Sequence, residues 1–344
     1  MDQLMQRILL TLLVSAIFLV PAARAQEKAK ERRVEMDDAT KKATARALDW
    51  LKEKQNADDG SFSDGAYPHN TAITAYAMLA FMSQGHLPNQ GRYGPEVGKA
   101  ARFLVAAQND KGYVVGVRGG NMYCHAMATL ALAELYGQTN DDALKPVVKK
   151  ATDLIISSQQ ESSGGWRYEP RPTGADISVT IMQVMALRAA RNAGMHVPDK
   201  TMNNALRYIK SCYRADIGGF TYMPRSGAPG FARTAAGLCV LFLTGEYKAK
   251  EIPKGVDYLK TQFNTQQHFY YGHYYAAHAM HQVGGKDWED WYARLVQYFV
   301  TSGSQRPDGS WSTMQGREVG PVFQTSIAVI VLSVPAHYLP IFQR

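Results

Sequence analysis

The chain has 344 residues, 46% of them hydrophobic and 20% charged, with a formal net charge of +8. That excludes a disordered or collagen-like polymer and leaves room for one or two globular cores. Three cysteines (Cys124, Cys212, Cys239) with no CxxC pair exclude a disulfide scaffold, since at most one intrachain bridge can form.

Residues 8–22 are almost wholly apolar, follow a short segment carrying one Arg, and precede Ala23-Arg24-Ala25, a small-x-small cleavage site. This is the grammar of a secretory signal. The expected organisation is a signal peptide over 1–25, a short linker over 26–38 and a single domain over 39–344, in a secreted or periplasmic protein. No other stretch approaches the ~18 to 20 apolar residues of a membrane span, so no transmembrane segment is expected after cleavage.

Further along, one pattern returns: an aromatic–aliphatic pair, Gln, a short gap, then Gly with an aromatic beside it. It runs Trp50-Leu51, Gln55, Gly60-Ser61-Phe62; then Phe103-Leu104, Gln108, Gly112-Tyr113; then Leu154-Ile155, Gln159, Gly165-Trp166. Weaker copies are Tyr208-Ile209 with Gly219-Phe220, lacking Gln, and Tyr258-Leu259 with Phe269, lacking Gly; the last ends at Gly309-Ser310-Trp311. Gly60, Gly112, Gly165 and Gly219 lie 52, 53 and 54 residues apart. Before each turn the segment is amphipathic, as in residues 39–54, with Asp38 in capping position. After each turn comes an Ala-rich, all-round apolar segment: 70–81, 123–135, 177–190, 231–243, 270–282 and 323–333. Helices of that kind are buried on most faces. Outer helix, glycine turn, inner helix describes an αα-hairpin that cannot bury its own apolar face, so copies must stack. Six copies and an apolar tail predict an all-α fold, an (α/α)6 toroid closed on itself.

These turns resemble the QW motifs of the terpenoid cyclase and protein prenyltransferase superfamily, over essentially the whole mature chain. The resemblance implies a structural role for the motif: the aromatic packs on the next repeat and Gln satisfies helix-end backbone groups. It implies the fold strongly and the reaction weakly. The family's catalytic motifs are not in the sequence. D-x-D-D is approached only by Asn56-Ala57-Asp58-Asp59, which reads as turn chemistry. Asp37-Asp38 and Asp141-Asp142 lack the third acid of D-D-x-x-D. No cysteine has the Asp two residues before it that a prenyltransferase zinc site uses, and Gly-Cys-Gly-Glu-Gln is missing. No metal or cofactor is expected; His278 and His281, three residues apart, have no third donor nearby.

The candidate site is the mouth of the ring, where inner helices begin. Aligning the apolar segments places Thr71, His125, Val179, Arg233, Gly272 and Gln324 in one layer, with His69, Tyr123, Asp176, His273 and Thr325 beside it. The connections carry Arg118, Arg167, Arg171, Arg225, Arg233 and Arg317 but no Lys. Arginine's planar fork suits carboxylate or phosphate, so this enrichment points to an anion; pairing with Asp64, Glu169, Asp176 and Glu318 is the alternative. In the fifth repeat, Tyr271, Tyr275 and His278 share one helix face, aromatic surface that would stabilise a cation or stack on a sugar. The expected catalytic set is Asp176, His125 and Arg233. Ligand-binding positions are His69, Tyr123, Arg167, Arg171, Arg225, Tyr271, His273 and His278. The expected partner is a small molecule or oligosaccharide, anionic or isoprenoid, rather than nucleic acid, because no basic run is interleaved with aromatics. Two further readings stay open. One is a carbohydrate-active enzyme resembling pectate lyases, with Arg233 or Arg171 beside Asp176; the other is a non-catalytic binding module.

Overall fold

The computed structural model describes residues 34–116, 119–313 and 318–343; the expected signal peptide and most of the linker lie outside them. Among the described residues twelve α-helices alternate as six hairpins. The outer helices are α1 (Asp38–Lys54), α3 (Gly94–Ala106), α5 (Leu144–Ser157), α7 (Asp199–Ser211), α9 (Ile252–Gln262) and α11 (Gly285–Val296). The inner helices are α2 (Thr71–Met82), α4 (Met122–Thr139), α6 (Ile177–Asn192), α8 (Phe231–Leu243), α10 (Phe269–Val283) and α12 (Pro321–Leu332). A two-residue ribbon, β1 (Tyr213–Arg214) with β2 (Gly219–Phe220), interrupts the fourth turn. Among the described residues no helix is long and apolar enough to cross a membrane.

Each inner helix packs on the next, and α12 packs on both α1 and α2, so the ring closes. All twelve residues of α2 are buried, as its all-round apolarity demands. The first outer helix begins one residue earlier than the capping argument expects: Asp37, not Asp38, accepts from Thr40 N at 2.7 Å.

What joins repeat to repeat is a clamp built from four parts. The glutamine amide donates to its own turn and to the first turns of the following outer helix. Gln55 reaches Gly60 O and Glu96 O, and Gln108 reaches Gly112 O and Val147 O. Gln159 reaches Gly164 O and Thr201 O, and Gln305 reaches Gly309 O and Ala43 O, all at 2.8–3.3 Å. The last of these carries the sixth repeat onto the first. A turn glycine lies against that same following helix: a Cβ on Gly60 would sit 2.6 Å from Lys99 O, and one on Gly309 2.6 Å from Arg46 O. Both glycines have φ near +80 to +95°, so side chains are excluded twice over. In repeats three and four this glycine is Gly164 and Gly218, one residue before those chosen from sequence, because the motif is Gly-x-aromatic. Its aromatic position holds Phe62, Trp166, Phe220 and Trp311, and in repeat two Val114 rather than Tyr113.

The backbone N–H at that position donates into the inner helix. Phe62, Trp166, Phe220 and Trp311 bond Thr74, Thr180, Thr234 and Thr325 Oγ1 at 2.9–3.0 Å. The indoles of Trp166 and Trp311 also donate to Ile155 O and Phe299 O on the preceding outer segments. Both tryptophans are fully buried. Trp166→Ala and Trp311→Ala should each cost ~3 to 5 kcal/mol in denaturant unfolding; a loss under ~1 kcal/mol would show that the clamp does not bear on stability.

Candidate functional site

The first turns of the inner helices and the connections before them surround one cup of about 760 Å3. Its wall is dominated by tyrosine: Tyr67, Tyr76, Tyr123, Tyr168, Tyr222, Tyr258 and Tyr271, with Phe231 and Phe323. Tyrosine hydroxyls link into pairs, Tyr76 to Tyr123 at 2.8 Å, Tyr168 to Tyr222 at 3.1 Å, and Tyr275 donates to Tyr271 at 3.1 Å. The opposite end of the ring is filled by the tail: Phe342 stacks on His278, Gln282 donates to Phe342 O, and Ile341 N donates to Glu134. An apolar tail taken in sequence as a sign of closure therefore acts as a stopper as well.

A helix start leaves orphan N–H groups that need acceptors. Asn70 caps α2, Asn121 caps α4 and Asp176 caps α6. Glu318 accepts from Tyr270 N at the start of α10, and Asp64 from Phe323 N at the start of α12. The start of α8 differs: Gly230 provides no side chain. On the first turn of that helix Arg233 lines the cup, half-buried. It makes no ion pair or hydrogen bond with any described residue. It is the one Arg or Lys among the described residues lining the cup, and Glu318 is the one carboxylate.

Of the residues chosen from sequence, Tyr123, Tyr271 and Arg233 line the cup. The histidines do not. His125 Nδ1 accepts from Val114 N at 3.1 Å and its Nε2 bonds Ala151 O, so it takes the place that threonine holds in four other repeats. The layer that aligned His125 with Thr71 and Arg233 was out of register; its true partners are Thr74, Thr180, Thr234 and Thr325. Burial lowers the His125 pKa to about 4. His273 bonds Phe263 O inside a cage of Phe231, Phe263, Phe269 and Trp291, and burial lowers it to about 3. His278 is buried under the tail, and burial holds it well below the usual range. His69 ties Asp59 and Ser61 together in the first connection, both at 2.8 Å. Asp176 is buried behind the wall, with Arg167 half-buried near it. Arg171 and Arg225 are exposed, and Arg118 and Arg317 lie outside the described residues. The structure therefore does not gather Arg167, Arg171, Arg225 and His125 into one site with Arg233. Reasoning from sequence missed Tyr168 and Tyr222, although both stand two residues after a turn aromatic, in Trp166-Arg167-Tyr168 and Phe220-Thr221-Tyr222.

A closed ring of hairpins with an aromatic cup at one mouth defines an α/α toroid. The chain belongs to the family described as the prenyltransferase alpha-alpha toroid domain, whose model matches residues 31–285. No curated protein compared with it matches in sequence. Among solved structures it is similar to the α-1,6-mannanase GH76A of Salegentibacter sp. HEL1_6 (TM-score 0.67, 7% identity, 88% of this chain and 100% of that one). It is also similar to the type II terpene cyclase MstE from Scytonema (TM-score 0.63, 14% identity, 88% and 100%). A variant of that cyclase in complex with geranylgeranyl dihydroxybenzoate as substrate gives a TM-score of 0.60 at 14% identity, over 88% and 98%.

Two buried carboxyls, Asp64 and Glu134, and the half-buried Glu318 give the fold an unusual pH response. Burial raises Asp64 to about 6, Glu318 to about 7 and Glu134 to about 8. Each binds its proton more tightly folded than unfolded, so each lowers relative stability as pH rises through its folded pKa. The buried histidines act oppositely, but only below their unfolded value of about 6.5. As pH rises above 6.5 the unfolded histidines lose their protons and this opposing effect fades. Toward pH 8.5 the buried Cys212 and Cys239 thiols, raised by burial, act in the same direction as the carboxyls. The melting temperature should therefore fall between pH 6.5 and 8.5, and Glu134→Gln, which keeps an acceptor for Ile341 N, should raise it at pH 8. A wild-type melting temperature that climbs across that interval would contradict the burial of Glu134.

Proposed function

We propose that the cup binds a small molecule with a long apolar body and one anionic head, of isoprenoid type, and that Arg233 receives the head. The observation that carries this reading is the unpaired, half-buried Arg233 guanidinium in a tyrosine wall, on the one inner helix start that no side chain caps. The free N–H groups of that start favour negative charge. Tyrosine faces cover an apolar chain, and their quadrupoles would steady positive charge developing on it. The complex of the terpene cyclase MstE with geranylgeranyl dihydroxybenzoate supports the reading by analogy, since that ligand joins an isoprenoid chain to a polar head.

A saccharide reading draws on the same tyrosines, which stack on sugar rings, and on the likeness to a mannanase. Against glycoside hydrolysis stands the single carboxylate on the wall, because that reaction ordinarily uses two.

Calorimetry separates the readings. Geranylgeranyl diphosphate should bind, geranylgeraniol should bind at least tenfold more weakly, and oligouronates should bind weakly or not at all. Arg233→Lys should weaken diphosphate binding about tenfold, since charge is kept and the bidentate fork is lost, while Lys150→Ala on an outer helix should change nothing. Equal affinity of wild type and Arg233→Lys would remove Arg233 from the head site, and tighter oligouronate binding would favour the saccharide reading.

A further inference from the structure

The stopper at the closed mouth leaves polar groups beneath it unmet. Tyr274, His278 and Gln282 stand four residues apart on α10 and so share one face. The tail residues Ile341 and Phe342 lie against that face, with Glu134 of α4 beside them. Gln282 Nε2 donates to Phe342 O at 2.6 Å, and Glu134 Oε2 accepts from Ile341 N at 3.3 Å. Phe342 stacks parallel on the His278 ring and stands edge-on to Tyr274, with centroids 6.2 Å apart. His278 and Tyr274 are buried, yet neither His278 nitrogen nor the Tyr274 hydroxyl has a hydrogen-bond partner among the described residues. A phenyl ring cannot supply one. Unmet buried polar groups are costly, and leucine at 278 or phenylalanine at 274 would pack against Phe342 without that cost.

The tail fills this space as an occupant rather than as part of its wall. It follows α12 through a single turn (Val334–Ala336) and a bend at His337, whose φ of +59° is left-handed. A few such residues suffice to absorb the backbone change of a hinge. Beside the tail only about 20 Å3 is left open, room for one water and for no organic molecule. Tyr274 stands between this space and the cup. Its ring is edge-on both to Phe342 and to the cup-lining Tyr76, the latter at 5.6 Å.

We infer that the closed mouth is a second ligand pocket, distinct from the cup, which the tail fills until an uncharged amphiphile takes its place. The apolar body of that ligand takes the space of Ile341 and Phe342. Its hydroxyl or amide bonds the idle Tyr274 and His278 groups and the Glu134 carboxyl that Ile341 vacates. A carboxyl beside an aromatic face disfavours an anionic head, and burial disfavours a charge of either sign. This ligand therefore differs from the anionic-headed molecule of the cup, and the inference holds whatever the cup binds. Displacing the tail needs a difference in interaction free energy between the two arrangements. The ligand gains it by meeting the hydrogen-bond groups that the tail leaves idle.

Hydrogen exchange of the full chain tests this, with 2-naphthol as an uncharged, hydroxyl-bearing probe and naphthalene as its apolar twin. 2-Naphthol should speed exchange of the Ile341 and Phe342 amides about fivefold or more, since their opening free energy falls as the tail is displaced. Naphthalene should do so far less, and outer helix α5 should not respond to either. His278→Leu combined with Tyr274→Phe keeps the packing and removes the idle polar groups. That variant should melt at or above the wild-type temperature and lose the response to 2-naphthol. Phe342→Ala weakens the competitor, and its closed mouth should bind 2-naphthol about fivefold more tightly than wild type. Tail exchange unmoved by 2-naphthol up to its solubility overturns the pocket. An equal response to naphthalene, or one that survives in the double variant, overturns recognition by Tyr274 and His278. Exchange that rises in α5 as well marks general loosening and counts against the pocket equally. The wild-type measurement decides even where a variant does not fold.

Discussion

A single glutamine side chain, used four times, does what sequence-local helix formation cannot. An αα-hairpin of this composition has an apolar inner helix and no partner for it, so its stability depends on the neighbouring copy. The amide of Gln55, Gln108, Gln159 or Gln305 spans that joint, bonding its own turn and the next outer helix at once. Around it the other constraints line up. The turn glycine permits backbone contact that any Cβ would block, and the following aromatic fills the space between the helices. Its N–H is held by a threonine one turn into the inner helix. The glutamine is missing from the fourth and fifth repeats; in the fourth the β1–β2 ribbon orders the turn instead.

The joint also fixes where chemistry can occur. Because each turn delivers the chain to the start of an inner helix, all six starts converge on one mouth, and their orphan N–H groups with them. Five are answered by side chains. The sixth, at Gly230, has no side-chain acceptor and opens on the cup beside Arg233. The other mouth is closed by the tail, whose contact with Glu134 buries a carboxyl deep enough to keep it protonated near neutral pH. The cup is thus a one-ended vessel, polar at the rim and aromatic on its walls.

The architecture was legible in the chain because its rules are local and repeated. The alternation of amphipathic and all-apolar segments and the count of six survive as seen, and the Gly–aromatic period survives with its glycine moved back one residue in repeats three and four and Val114 in place of Tyr113 in repeat two. The layer of the cup was not legible, because apolar segment boundaries are a poor ruler for register. Thr71 and His125 were placed side by side, whereas the backbone pairs His125 with Thr74, three residues further along. A threonine hydroxyl and a histidine nitrogen are interchangeable acceptors for one N–H, and nothing in sequence marks that equivalence. Histidines near an expected mouth therefore looked like site residues, while the tyrosines that line it are scattered one or two per repeat. Arg233, Tyr123 and Tyr271 were found because each lies in the first turn of an all-apolar segment, which the composition marks.

Closure depends on the seam between the sixth repeat and the first being the same glutamine joint that follows repeats one, two and three. Denaturant unfolding of Gln305→Ala beside Gln159→Ala tests that directly. In a closed ring both should cost about 1–3 kcal/mol, the penalty of leaving buried carbonyls without a donor, in a single cooperative transition. A seam variant as stable as wild type, beside an interior variant that is not, would contradict closure and with it the enclosed cup.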